Sequence, residues 1–145
     1  MQIIHRLVGI YFIMLLVFAS CGETQTADGD YQIVKPQELA QWLENKKEML
    51  IIDVRTPGEY VGELGHIEGS LLRPLQEMEN WISEFEKNKN DRIVMVCRSG
   101  NRSGVSSRYF SRHGFKNVYN LQGGMRAWNK AGLPISRSKP EAPHE

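Results

Sequence analysis

The chain has 145 residues, 41% of them hydrophobic and 9% aromatic, and a formal net charge of +1. That length suits one compact domain around one core, and the near-neutral balance excludes a surface built to bind nucleic acid. His5, His66, His113 and His144 are scattered and the only cysteines are Cys21 and Cys97, so no metal-ligand cluster and no cofactor are expected.

At the N-terminus, His5 and Arg6 precede an apolar run from Leu7 to Ala19. As a helix rising ~1.5 Å per residue this run is too short for a ~30 Å hydrocarbon core, so it reads as the charged and hydrophobic regions of a secretory signal. The run ends at Phe18-Ala19-Ser20-Cys21-Gly22, two small residues before a cysteine, which resembles the lipobox of bacterial lipoproteins, with Phe18 where Leu is usual. The resemblance implies cleavage after residue 20, lipidation of Cys21 and a domain tethered at a membrane surface of the cell envelope, periplasmic or outward-facing. An ordinary signal peptide with Cys21 free, or an uncleaved anchor, remains the alternative. Lipidation would consume Cys21 and leave Cys97 without a disulfide partner.

Residues 21–30 then read as the lipidated cysteine and a polar, flexible spacer, residues 31–135 as the folded domain, and residues 136–145, with Pro140 and Pro143, as a frayed tail. Within the domain, Ile33-Val34 is strand-like and precedes Pro36, and Gln37 to Lys46 carries Leu39, Trp42 and Leu43 at helical spacing. Met49 to Val54 predicts a strand covered on both faces, interrupted only by Asp53. Thr56-Pro57-Gly58-Glu59 opens a short helix with Thr56 as N-cap, and Ser70 to Leu72 is a third strand.

Leu75, Met78, Ile82 and Phe85 form the stripe of the next helix, with Trp81 flanking it. Arg92 to Val96 is a strand, and Arg102 to His113 a helix with Val105, Tyr109 and Phe110 inward and Gly114 as its stop. Val118 to Leu121 returns to strand, and Gly124 to Ala131 is a last helix ended by Gly132 and Pro134. This alternation predicts an α/β fold with a mainly parallel sheet and a ligand site off the carboxyl ends of the strands.

Cys97-Arg98-Ser99-Gly100-Asn101-Arg102-Ser103 lies at such an end. A strand that runs through a Gly-containing loop into a helix turns unpaired N–H groups toward the loop centre, and two arginines add positive charge there. A thiol in this setting is expected to ionise easily, since an ordinary cysteine pKa of about 8.5 falls to roughly 3.5–7.5 near helix N-termini and cations. The plainer alternative is a buried strand-end cysteine acting as a small apolar residue.

Three segments together resemble the rhodanese family of sulfurtransferases: Asp53-Val54-Arg55-Thr56-Pro57-Gly58-Glu59-Tyr60 with Gly65-His66-Ile67-Glu68-Gly69-Ser70, the Cys97 to Arg102 loop, and Leu121-Gln122-Gly123-Gly124-Met125-Arg126-Ala127-Trp128. The resemblance implies a five-stranded, mainly parallel sheet flanked by helices in one domain, expected as a monomer, in which Cys97 attacks the outer sulfur of thiosulfate or a related persulfide, holds it as a persulfide, and passes it to a thiol, a dithiol protein or cyanide. The N–H groups from Arg98 through Ser99, Gly100, Asn101 and Arg102 to Ser103 would cradle the sulfur without a metal, while Arg98 and Arg102 would hold the oxygens of the donor.

Asp53 is expected to pair with an arginine near the loop, with Arg55 either that arginine or a further anion contact. His66 reads as a structural histidine in its turn rather than a general base, Gly123 and Gly124 as backbone requirements, and Trp128 as core. A cysteine phosphatase is the first rival, but phosphatases of this fold place five residues between cysteine and arginine, whereas four separate Cys97 from Arg102. A module that carries sulfur or binds a partner without turnover is the second. A thiol redox protein would want a resolving cysteine, and the domain has none.

Overall fold

Side chains of the strand Arg92–Val96 alternate between two apolar clusters: Ile93 and Met95 enter one, which also takes Cys97, and Val94 and Val96 enter the other. A strand buried on both faces belongs in the middle of a parallel sheet. The computed structural model, which describes residues 26–27 and 31–140, places it there.

In chain order the elements are β1 (Thr26–Ala27), β2 (Tyr31–Val34), α1 (Pro36–Glu44), β3 (Leu50–Asp53), α2 (Pro57–Tyr60), β4 (Leu71–Leu72), α3 (Met78–Trp81), β5 (Arg92–Val96), α4 (Asn101–Arg112), β6 (Asn117–Leu121) and α5 (Gly124–Lys130). The sheet order is β1-β2-β6-β5-β3-β4. Strands β2 to β6 pair in parallel, giving the expected five-stranded α/β sheet. Phe110 of α4, with Met78 and Trp81 of α3, covers one face; Leu39 of α1, with Met125 and Trp128 of α5, covers the other.

Four local expectations change. Thr26–Ala27, read as spacer, pairs antiparallel with β2; a backbone ladder on an edge needs no apolar alternation in the sequence. The stripe from Leu75 to Phe85 is not one helix, because α3 is flanked by 3₁₀ turns at Leu75–Glu77 and Ile82–Asn88. Trp81, the last residue of α3, is 4% exposed and so is core rather than flanking, and its indole N–H donates to the Pro74 carbonyl at 2.9 Å.

Val105, expected inward, is 54% exposed. The buried face of α4 is instead Ser103, Gly104, Ser106, Ser107 and Phe110. Small residues let the helix lie close on the sheet: a Cβ on Gly104 would stand 3.1 Å from the Tyr31 hydroxyl and 3.3 Å from Asn120 Nδ2. Ser136, expected in the tail, exchanges two backbone hydrogen bonds of 2.8 Å with His66. No helix among the described residues is long and apolar enough to cross a membrane. The apolar run from Leu7 and the Cys21 motif lie outside those residues.

Candidate active site

Cys97 directly follows β5, and alternation turns it toward the α4 side of the sheet. Gly100, with φ 96°, reverses the chain there and caps α4. L residues avoid this left-handed conformation, so a glycine is needed at the bend. The bend aims the Gly100 N–H at the Cys97 sulfur, 3.1 Å away, and brings the Ser103 hydroxyl to 3.2 Å.

Among the described residues Gly100 is the one backbone donor bonded to the sulfur; Arg98, Ser99 and Asn101 lie exposed on the outside of the loop. Of the expected cradle, the Gly100 N–H reaches the thiol sulfur itself. Cys97 itself is 1% exposed. The plainer alternative is therefore half right: one side of the residue packs with apolar core, and the other faces the Gly100 N–H and the Ser103 hydroxyl.

The first turn of α5 holds the loop from outside. Met125 N–H donates to the Cys97 carbonyl at 2.8 Å and Arg126 N–H to the Arg98 carbonyl at 3.0 Å. So close an approach requires the glycine expected at 124: a Cβ there would overlap the Cys97 carbonyl oxygen and come within 2.7 Å of the Arg98 carbonyl carbon.

Beneath the loop lies a residue the sequence analysis missed. Asn120 of β6 is 6% exposed, donates from Nδ2 to the Gly100 carbonyl at 3.0 Å, and accepts from the Ser103 hydroxyl at 2.6 Å. A carbonyl can only accept, so the Gly100 oxygen fixes which end of the amide faces Ser103. Ser103 then has one proton for two acceptors. Asn120 takes it while the sulfur is a protonated thiol, and a thiolate competes for it because charge strengthens a hydrogen bond. The signal was present in β6, where a polar Asn120 shares the strand face of Val118 in an otherwise apolar layer.

Two ion pairs flank the loop. Asp53 accepts from the Arg55 backbone N–H and from its Nε and Nη2, at a shortest 2.6 Å, and Arg55 also donates to the carbonyls of Glu59 and Gly65. Both side chains are buried, so Arg55 is the arginine that Asp53 was expected to find and not an anion contact. Arg102 behaves differently from the expectation. Its Nη1 and Nη2 donate to the two oxygens of Glu59 at 2.8 and 2.6 Å, so Arg102 faces a carboxylate of its own chain.

Glu59 is held in turn by the N-cap of α2, where Thr56 N–H and Thr56 hydroxyl donate to Oε2, each at 3.2 Å. Hydrogen bonds from Arg102 lower the Glu59 pKa to about 2, against an opposing effect of burial. Arg102 is raised in turn, again chiefly by Glu59. His66 stacks on Tyr60 with ring centres 3.6 Å apart and bonds the Tyr60 carbonyl through Nδ1 at 3.0 Å, a structural role as expected. No group of three or more metal-ligating side chains gathers among the described residues.

A family model described as the Rhodanese-like domain matches residues 35–131. The chain is 35% identical over 102 residues to a sulfurtransferase of Allochromatium vinosum, covering 70% of this chain and 92% of that protein. It is 32% identical over 112 residues to the thiosulfate sulfurtransferase GlpE of Pseudomonas paraeruginosa, covering 77% and 96%. A rhodanese-like domain protein from Staphylococcus aureus superimposes with a TM-score of 0.61 at 33% identity, over 71% of this chain and 96% of that one. Other curated relatives are longer, and this chain spans 56% of one and 45% of another. The chain belongs to the rhodanese family.

Proposed function

We propose that this protein is a sulfurtransferase that moves a sulfane sulfur from thiosulfate or a related donor to a thiophilic acceptor through a persulfide on Cys97. The carrying observation is the Cys97 sulfur at the junction of β5 and α4 with Gly100 N–H and Ser103 Oγ directed at it. In the first half-reaction the Cys97 thiolate attacks the outer sulfur of thiosulfate. The donor S–S bond breaks, its electron pair leaves with sulfite, and Cys97 keeps the transferred sulfur as an anionic persulfide that the Gly100 N–H stabilises. In the second, a thiol, a dithiol protein or cyanide attacks that sulfur and frees Cys97. Because Cys97 is 1% exposed, the loop yields as the donor enters.

The same burial supports a second reading, a module that carries one sulfur or binds a partner without turnover. Steady-state assay with thiosulfate and cyanide separates the two. Turnover with parallel double-reciprocal lines is expected for an enzyme with a covalent intermediate, whereas loading of one sulfur per chain without turnover would establish the carrier.

The location belongs to the proposal as well. The apolar run from Leu7 and the Ala19-Ser20-Cys21 sequence support export and a lipid tether on Cys21, with a monomeric domain acting at the membrane surface. Metabolic labelling with a palmitate analogue in a bacterial host tests this: label is expected on the wild-type chain and lost in Cys21→Ala, and an unlabelled wild-type chain would contradict the anchor.

A further inference from the structure

β1 runs antiparallel to β2, whereas β2, β6, β5 and β3 run parallel to one another, so the chain enters β1 from the carboxyl ends of the parallel strands. Those are the ends that carry the Cys97 loop. Register fixes how close the two lie. Thr26 stands opposite Gln32, Gln32 opposite Tyr119 and Tyr119 opposite Val94, so Thr26 is level with the residue three before Cys97. Along the strands that is about 10 Å, and across the sheet order β1 and β5 are about 14 Å apart. Four residues separate Cys21 from Thr26, so a lipid on Cys21 is held at most ~18 Å from Thr26.

A tether that short decides which end of the domain meets the bilayer. Led out toward the carboxyl ends, it reaches past the level of Cys97. Doubled back at residue 25 it spans only ~14 Å, little more than the ~10 Å from the level of Thr26 to that of Lys116, with the loop over 45–49 still to clear. Exposed cations also stand at the carboxyl ends: Lys35 just after β2, Arg98 beside Cys97 and Arg126 in the first turn of α5. Lys46, Lys47 and Lys116 make the amino end basic too, so attraction to anionic lipid serves either face and the tether chooses between them.

We infer, resting on the proposed lipid anchor at Cys21, that the carboxyl-end loops lie against the anionic headgroups of the anchoring bilayer, with Lys35, Arg98 and Arg126 toward the lipid. The Cys97 loop then opens at headgroup level. Small thiols reach it there, whereas a globular dithiol protein reaches it only if that protein is itself held at the membrane.

The test uses the lipidated full chain, incorporated into preformed vesicles of phosphatidylethanolamine and phosphatidylglycerol, with Cys97→Ser to remove the native thiol. A single cysteine is placed at the carboxyl end, Gln122→Cys, or at the amino end, Lys116→Cys, both exposed positions. Each is labelled with N-ethylmaleimide and with a polyethylene glycol maleimide, and the ratio of the two rates measures how much bulk the surface admits. Relative to the small reagent, the bulky one is expected to react at least ~5-fold more slowly at Gln122→Cys than at Lys116→Cys. Inserting roughly 12 Gly and Ser residues between Gln25 and Thr26, at roughly 500 mM salt to screen the headgroups, is expected to bring the two ratios within ~2-fold.

Equal ratios with the native tether would overturn the inference. So would protection of Gln122→Cys that survives the insertion, since something other than the bilayer would then cover the loop. Both leave the anchor reading intact. A wild-type chain whose intact mass carries no acyl groups would overturn that reading and this inference with it.

Discussion

The two ion pairs beside the Cys97 loop share a shortest N–O distance of 2.6 Å and a forked guanidinium–carboxylate geometry, yet they sit in different solvents. Asp53 and Arg55 are 0% and 1% exposed, whereas Glu59 and Arg102 are 26% and 30% exposed. In the first pair each charge depends on the other, because water cannot replace a lost partner. In the second, water already competes, so the pair contributes little to stability. Equal geometry thus separates into a frame and a surface contact, and burial makes the division.

The comparison breaks most sharply at Asp53. Asp53→Asn strands the buried Arg55 guanidinium with carbonyl oxygens alone, and a loss of about 3–5 kcal/mol in urea unfolding is expected. A loss under ~1 kcal/mol would show that the buried pair is no frame. Asn120→Ala tests the other buried polar group. It removes the donor that holds the Gly100 carbonyl and with it the aim of the Gly100 N–H at the sulfur, so sulfur loading is expected to slow about tenfold, equivalent to ~1.4 kcal/mol. Stopped-flow loading rates check this, and an unchanged rate would separate Asn120 from the sulfur.

The smallest effect belongs to the half-exposed pair. The Arg102 hydrogen bonds hold the Glu59 carboxyl down to about 2 in the folded chain, against an ordinary value of 4.5, so its contribution is complete above roughly pH 4.5 and disappears as pH falls toward about 2. Comparing urea unfolding of wild type and Glu59→Gln at pH 7 and at pH 2.5 should show a gap below ~1 kcal/mol at neutral pH that shrinks in acid. A gap that widens in acid would reverse the sign and refute the assignment.

Much of this arrangement was legible in the residues. A continuous apolar run located β5 at the limits it has, the Cys97 loop and the glycines at 123 and 124 followed from local pattern, and Arg55 was one of two readings offered for the partner of Asp53. What escaped depends on distances across the chain. Nothing local shows that Arg102 meets Glu59, 43 residues away, or that Asn120 reaches the loop 20 residues before it. Val105 misled because apolar periodicity assumes that the buried face of a helix is large, whereas α4 packs closely through serine and glycine.

The central claim is that one sulfur, Cys97, receives and gives up another. Intact mass of the domain after donor treatment tests it directly: the account predicts a gain of ~32 Da that cyanide removes and that Cys97→Ser never shows. An unchanged mass in the wild type, or the same gain in Cys97→Ser, would contradict it.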